Sequence, residues 1–136
     1  MKKVFWDTNV LLDLLDSERD GHNAANELLE ISRKRGCECQ CSWHSLSIIE
    51  YVGGRKYGSG EIWDFLRSLV GEFFIPKTGS DEARSAFHFL DGDFEDAMQI
   101  AAAEAGCADI LVTDSNNGFG KSPVKVVSPR AACGML

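Results

Sequence analysis

Val4-Phe5-Trp6-Asp7-Thr8-Asn9-Val10-Leu11-Leu12 is the stretch on which the fold turns. Three consecutive apolar residues with no helical spacing read as a short, fully buried strand. Asp7, Thr8 and Asn9 are all residues that start helices, and the leucines at 11, 12, 14 and 15 keep a helical spacing over residues 8–15. A strand that passes directly into a helix is the opening of a βα unit.

The same alternation continues along the chain. Residues 22–34 place Ala25, Leu28, Leu29 and Ser32 on one helical face, and Gly36 is the expected stop. Residues 37–41 read as a strand. Ser45 is suited to cap a helix carrying Leu46, Ile49, Glu50 and Val52, which Gly53-Gly54 ends. Residues 61–70 return to helical spacing. Phe73-Phe74-Ile75 forms a third short strand that Pro76 closes, and helices follow from Ser80 and from Asp93. Residues 110–113 and 124–127 supply two more strands. Short apolar runs separated by helices predict an α/β fold, a parallel sheet with helices on both faces. The expected strand order is 3-2-1-4-5, in a single domain spanning residues 1–136.

Composition agrees with that class. A chain of 136 residues with 44% hydrophobic and 26% charged residues can bury a core of its own. Residues 1–7 have no long apolar region and no cleavage site, so no signal peptide is expected, and no apolar run approaches membrane-spanning length. The expected location is the cytoplasm. Of the five cysteines, Cys37, Cys39 and Cys41 alternate along a strand, where like-facing residues stand about 6.5–7 Å apart. Three thiols so spaced do not close around one zinc ion, and they read as reduced core residues.

The net charge of −7 is the reverse of the basic surplus usual in nucleic-acid binders. Arg33-Lys34-Arg35 and Arg55-Lys56 read as solvated helix ends. Four acids stand out against that background, each just beyond an apolar run or inside one. Asp7 and Asp114 follow the first and fourth strands directly, at the sheet edge where open α/β sheets bind ligands. Asp96 begins the helical face that carries Ile100 and Ala103, and so points inward. Asp93, three residues before it, reads as the helix cap, with Glu95 as solvent-facing charge. Glu50 lies between Ile49 and Val52, where a charge is exposed or needs a partner. Asp114 leads into Ser115-Asn116-Asn117-Gly118 and is equally suited to a turn.

Carboxylates gathered without matching cations suit a hard divalent ion, Mg²⁺ or Mn²⁺, bound through oxygen. Such an ion activates water and stabilises a departing oxygen in phosphoryl chemistry. One metal with an acid as general base, or two metals dividing these tasks, both fit the pattern. A phosphatase of the haloacid-dehalogenase type would use Asp7 as nucleophile, but that class wants a second Asp two residues on, where Asn9 stands.

Taken in order, these pieces resemble the PIN-domain family of metal-dependent ribonucleases, in particular the short single-domain toxins of VapBC toxin–antitoxin pairs. The resemblance is carried by Asp7-Thr8-Asn9 with its leucines, by Ser45-Leu46-Ser47 ahead of Glu50, by Asp93-Phe94-Glu95-Asp96-Ala97 before an alanine-rich helix, and by Leu111-Val112-Thr113-Asp114 before a last strand and Ser128-Pro129. It implies that Asp7, Glu50 and Asp96 are metal-binding acids, joined by Asp114. Thr8 and Asn9 would support the first acid, Ser45 or Ser47 the second, and Thr113, Ser115 and Asn116 the fourth region. It also implies an RNA substrate, a homodimer and an antitoxin that inserts near the site. The fourth region departs from the family's Thr, one residue, then Asp or Asn: Ser115 fills that slot and Asp114 comes one place early. A catalytically weak PIN fold that binds RNA or a protein partner is the alternative expectation.

Overall fold

A computed structural model describes all residues, 1–136. Four strands, β1 (Lys3–Trp6), β2 (Glu38–Gln40), β3 (Ile110–Val112) and β4 (Lys125–Val127), form one parallel sheet in the order β2-β1-β3-β4. Seven helices connect and cover them: α1 (Thr8–Leu15), α2 (His22–Arg35), α3 (Trp43–Gly53), α4 (Ser59–Glu72), α5 (Ser80–Ser85), α6 (Phe94–Ala105) and α7 (Pro129–Cys133).

Side chains alternate across the strands and so divide the core between two faces. Val4, Trp6, Cys39, Ile110 and Val112 pack with Leu11, Leu28, Ile49 and Leu69, one buried residue from each of α1 to α4. Phe5 and Leu111 point the other way, onto Ile100, Ala102 and Ala103 of α6 and onto Phe119. Each large side chain withdrawn completely from water contributes about 1.5–3 kcal/mol. A covering of helices on both faces explains why the two central strands, Val4-Phe5-Trp6 of β1 and Ile110-Leu111-Val112 of β3, are apolar at every position rather than alternating.

Five strands were expected, and four form. Phe73-Phe74-Ile75 is reduced to a single parallel bridge, Gln40 to Phe74, held by Phe74 N donating to Cys39 O at 2.8 Å and Cys41 N donating to Phe74 O at 3.1 Å. Phe73 is still the C-cap of α4, and Pro76, which has no N–H to donate, follows two residues after Phe74. Too little chain remains between them for a ladder. The order of the four strands that do form matches the expected winding about β1. The helix expected from Ser80 also breaks: α5 ends at Ser85, and Ala86–Phe89 tightens into a 3-10 turn.

Local signals elsewhere behave as expected. Gly36 closes α2 in the left-handed conformation at φ 66°, and its amide donates to Arg33 O and Ser32 O. Cys39 and Cys41 are buried as free thiols, pushed up by that burial to about 11 and about 12. Of the basic groups expected to be solvated helix ends, Arg33 and Lys56 depart from expectation and are paired within the chain. Arg33 clasps Glu72 through two hydrogen bonds of 2.6 and 2.7 Å, joining α2 to α4, and Lys56 contacts Asp16 and Glu18. No helix is long and apolar enough to cross a membrane.

The single bridge has a measurable consequence. Native-state hydrogen exchange should find the Cys41 and Phe74 amides protected and the Ile75 amide, which has no backbone partner, exchanging much faster. Equal protection across residues 73–75 would restore the fifth strand.

Candidate metal centre

The first helix begins where the first strand ends, and this places Asp7. Asp7 is the N-cap of α1: its Oδ1 accepts the Thr8 amide at 2.8 Å, while its own amide donates to Val112 O at 2.9 Å across to the neighbouring strand. Because β1 and β3 are adjacent, Thr113 stands beside Asp7, and its hydroxyl donates to Asp7 Oδ2 at 2.8 Å. The Ser115 amide in turn donates to Thr113 Oγ1 at 3.1 Å. Gln99, one turn beyond Asp96 on α6, donates from Nε2 to Asp7 Oδ1 at 3.2 Å, to Thr8 Oγ1 at 2.5 Å and to Ser45 Oγ at 3.0 Å. Ser45 Oγ lies 2.7 Å from both Thr8 Oγ1 and Ser42 Oγ. Four elements are thus tied together beneath one carboxylate.

Gln99 Oε1 is buried without a partner, a cost of about 1–3 kcal/mol. Rotating the amide would set that oxygen against the Asp7 carboxylate. The orphaned carbonyl is the consequence of aiming the N–H groups at Asp7.

Asp96 comes to the same place from α6. Asp93 caps that helix by accepting the Asp96 amide at 3.1 Å, and the first-turn position favours the negative charge. One carboxylate oxygen each from Asp7, Glu95 and Asp96 lie within 4.8 Å of one another. Two of the three acids, Asp7 and Asp96, are held above the usual carboxylate range. Burial pushes the Asp7 carboxyl up to about 7; the Thr113 hydroxyl opposes this, and Glu95 and Asp96 add to it. Burial, with Asp93 and Glu95 adding, pushes Asp96 up to about 6. Three close carboxylates that offer only hard oxygens fit a Mg²⁺- or Mn²⁺-class ion.

Of the four acids expected at the site, the structure brings together Asp7 and Asp96. Glu50 is exposed in the third turn of α3, and its Oε2 accepts the Trp63 indole N–H at 2.7 Å, which ties α3 to α4. The two helical turns that separate it from the start of α3 carry it away from the acid cluster. Asp114 is exposed as well and faces Asp13 of α1 in a polar pocket with Arg19. Burial and the Asp13 carboxylate push it up to about 6. Successive residues leaving a strand point to opposite sides, so Thr113 faces Asp7 and Asp114 does not.

The supporting residues divide similarly. Thr8, Ser45 and Thr113 belong to the buried network. Ser115 contributes its backbone amide, while its hydroxyl donates to Asn117 O at 2.9 Å. Asn9 and Asn116 are exposed, and Ser47 caps back onto His44 O.

Three residues were missed from sequence. Glu95, expected to face solvent, joins the acids, and His44 Nε2 bonds Glu95 Oε2 at 2.9 Å. Gln99 was missed altogether. Its signal was present, as a lone uncharged polar residue inside an alanine-rich helix three positions after Asp96.

The sequence pattern that defines the PIN domain matches residues 3–117. The chain belongs to the PIN-domain family. This PIN domain is 25% identical over 138 residues to ribonuclease VapC1 of Aquifex aeolicus, covering 97% of the chain and 94% of the relative. Its fold is similar to that of VapBC2 of Rickettsia felis bound to a promoter DNA fragment (TM-score 0.72, 16% identity, 93% of this chain and 98% of that one). It is also similar to a toxin–antitoxin complex of Klebsiella pneumoniae, with a TM-score of 0.67, 25% identity and coverage of 93% and 97%.

Two outcomes follow for this PIN domain. The neutral form of Asp7 favours the folded state, an advantage complete below its unfolded pKa of about 4 and lost as pH rises through about 7. In metal-free buffer, Asp7→Asn should therefore melt on the order of 5 °C above the wild type at pH 8, with the gap closing below pH 4. A gap independent of pH would remove the charge as its cause. Gly118 has φ 93°, and a Cβ there would lie 2.1 Å from Asp96 Oδ2. Gly118→Ala should cost about 1–3 kcal/mol in thermal unfolding and displace the Asp96 carboxylate in a crystal structure of the variant.

Proposed function

We propose that this PIN domain is an endoribonuclease that hydrolyses RNA phosphodiester bonds with Mg²⁺ or Mn²⁺, and that it is the toxin of a toxin–antitoxin pair. The observation that carries the reading is the convergence of Asp7, Glu95 and Asp96 at the carboxyl edge of the sheet, over a buried network that orients Asp7. Its relative in Aquifex aeolicus is a ribonuclease, and structures of similar fold are toxin–antitoxin complexes.

The residues have separable tasks. Asp7, Glu95 and Asp96 would hold the cation, which when bound supplies an activated water and offsets charge on the departing oxygen. Thr113, Gln99 and the Thr8 amide keep the Asp7 carboxylate in one orientation. The start of α6 lends its positive end to Glu95 and Asp96. With a net charge of −7 and an anionic site, the bare chain repels a phosphodiester, so substrate approach itself depends on the cation. Exposed Trp43, Tyr51 and Phe87 supply apolar surface that a second copy, forming the homodimer, or the antitoxin would cover.

A second reading keeps the fold and drops the chemistry: a PIN domain that binds RNA or a protein partner with weak or no cleavage. The placement of Glu50 and Asp114 outside the acid cluster favours it. The two readings part on one experiment. Purified protein with Mn²⁺ should cut RNA, and Asp7→Asn or Asp96→Asn should lower the rate by at least about a hundredfold and relieve growth arrest on expression. Undiminished cleavage by both variants would eliminate the mechanism. A silent calorimetric titration with millimolar Mn²⁺ would select the binding module.

A further inference from the structure

The geometry points to His44 as the positioning residue that holds Glu95 in the metal centre, the role α3 plays here in place of a carboxylate of its own. The inference rests on the metal-centre reading above. His44 is the second residue of α3, whose N-cap is Ser42. Ser42 Oγ accepts the Ser45 amide at 3.1 Å and lies 2.7 Å from Ser45 Oγ, so the first turn that carries His44 is anchored directly to the network beneath Asp7. The imidazole leaves that turn with Nε2 at 2.9 Å from Glu95 Oε2. A carboxylate only accepts hydrogen bonds, so Nε2 carries the hydrogen.

Glu95 needs such a tether. Its side chain is 35% exposed and has three rotatable bonds, and it stands beside two other acids that repel it. The start of α6 attracts its charge without fixing its direction. Besides His44, the Thr8 hydroxyl is the other donor to Glu95, at 3.5 Å, and to the same Oε2. Both contacts therefore engage one oxygen and leave Oε1 without a protein partner. This is the arrangement of an outer-shell donor that orients a ligating carboxylate before the ion arrives. Glu50, the α3 acid expected to serve the site, bonds Trp63 instead, so the helix reaches the cluster through His44.

The test is Mn²⁺ affinity of the full-length protein, measured by calorimetry and by the electron paramagnetic resonance of the free ion. His44→Ala should weaken Mn²⁺ binding about ten- to a hundredfold. His44→Phe, which keeps a ring without the donor, should do the same, and this variant carries the test if the alanine protein folds poorly. His44→Gln, which returns an N–H of similar reach, should recover most of the loss. In a Glu95→Ala background, adding His44→Ala should weaken binding no further, because the tether acts through Glu95 alone. Wild-type affinity in both donor-less variants, or an equal loss with and without Glu95, overturns the assignment while leaving the metal centre intact. Wild-type protein that does not bind Mn²⁺ overturns the metal centre, and the assignment with it.

Discussion

A carboxylate buried at the end of a strand is the constraint around which this structure is arranged. Asp7 has almost no exposed surface, and an ionised group there is costly unless every oxygen is satisfied. The Thr8 amide, the Thr113 hydroxyl and the Gln99 amide satisfy it from three directions. Each of those donors requires a piece of the fold. The first requires α1 to start immediately after β1, the second requires β3 to lie directly beside β1, and the third requires α6 to pack on the face of Phe5 and Leu111 with Gln99 turned to Asp7. The crossover that puts β3 next to β1 after more than a hundred residues is thus also what makes the site.

Glu95 and Asp96 sharpen the tension rather than relieving it. Both add to the cost of ionising the buried Asp7, and the protein without a cation bears that cost as Asp7 loses its proton near neutral pH. The folded state offsets the cost with helix starts, hydroxyls and amides, none of which carries a full charge. Lys56 and Arg33 sit on distant helix ends, and Arg19 beside Asp13, so no lysine or arginine bonds the acids of the cluster. A divalent cation is the counter-charge that the arrangement leaves room for. Gln99 accepts a buried, unpartnered carbonyl so that its N–H groups can face Asp7.

Much of this was readable in the residues because strands and helix caps are local. The run Val4-Phe5-Trp6 followed by Asp7 announced a buried strand and a helix start, and the winding of the strands about β1 followed from the alternation of elements. Asp96 was readable too, since its spacing to Ile100 and Ala103 set it on the inner face of α6. The fifth strand failed because pairing is not local: Phe73-Phe74-Ile75 has strand character, yet the end of α4 and Pro76 leave it room for one bridge. Glu95 was misplaced because helical spacing describes a helix packed along its length, and at the first turn of α6 the neighbours are His44 of α3 and Thr8 of α1.

By itself, then, the sequence determined the class of fold, the position of Asp7 at the end of a strand and the capped start of α6 that carries Asp96. It also determined that acids, not bases, dominate the chemistry. Tertiary structure alone decided which acids meet. Glu50 sits in as apolar a context as any ligand, but the turn of α3 directs it to Trp63; Asp114 follows its strand as Asp7 does, but strand alternation turns it towards Asp13. Side-chain direction at the end of an element depends on where the next element packs, and that information lies in contacts between residues far apart in the chain. The bond from His44 to Glu95, spanning 51 positions, is of the same kind.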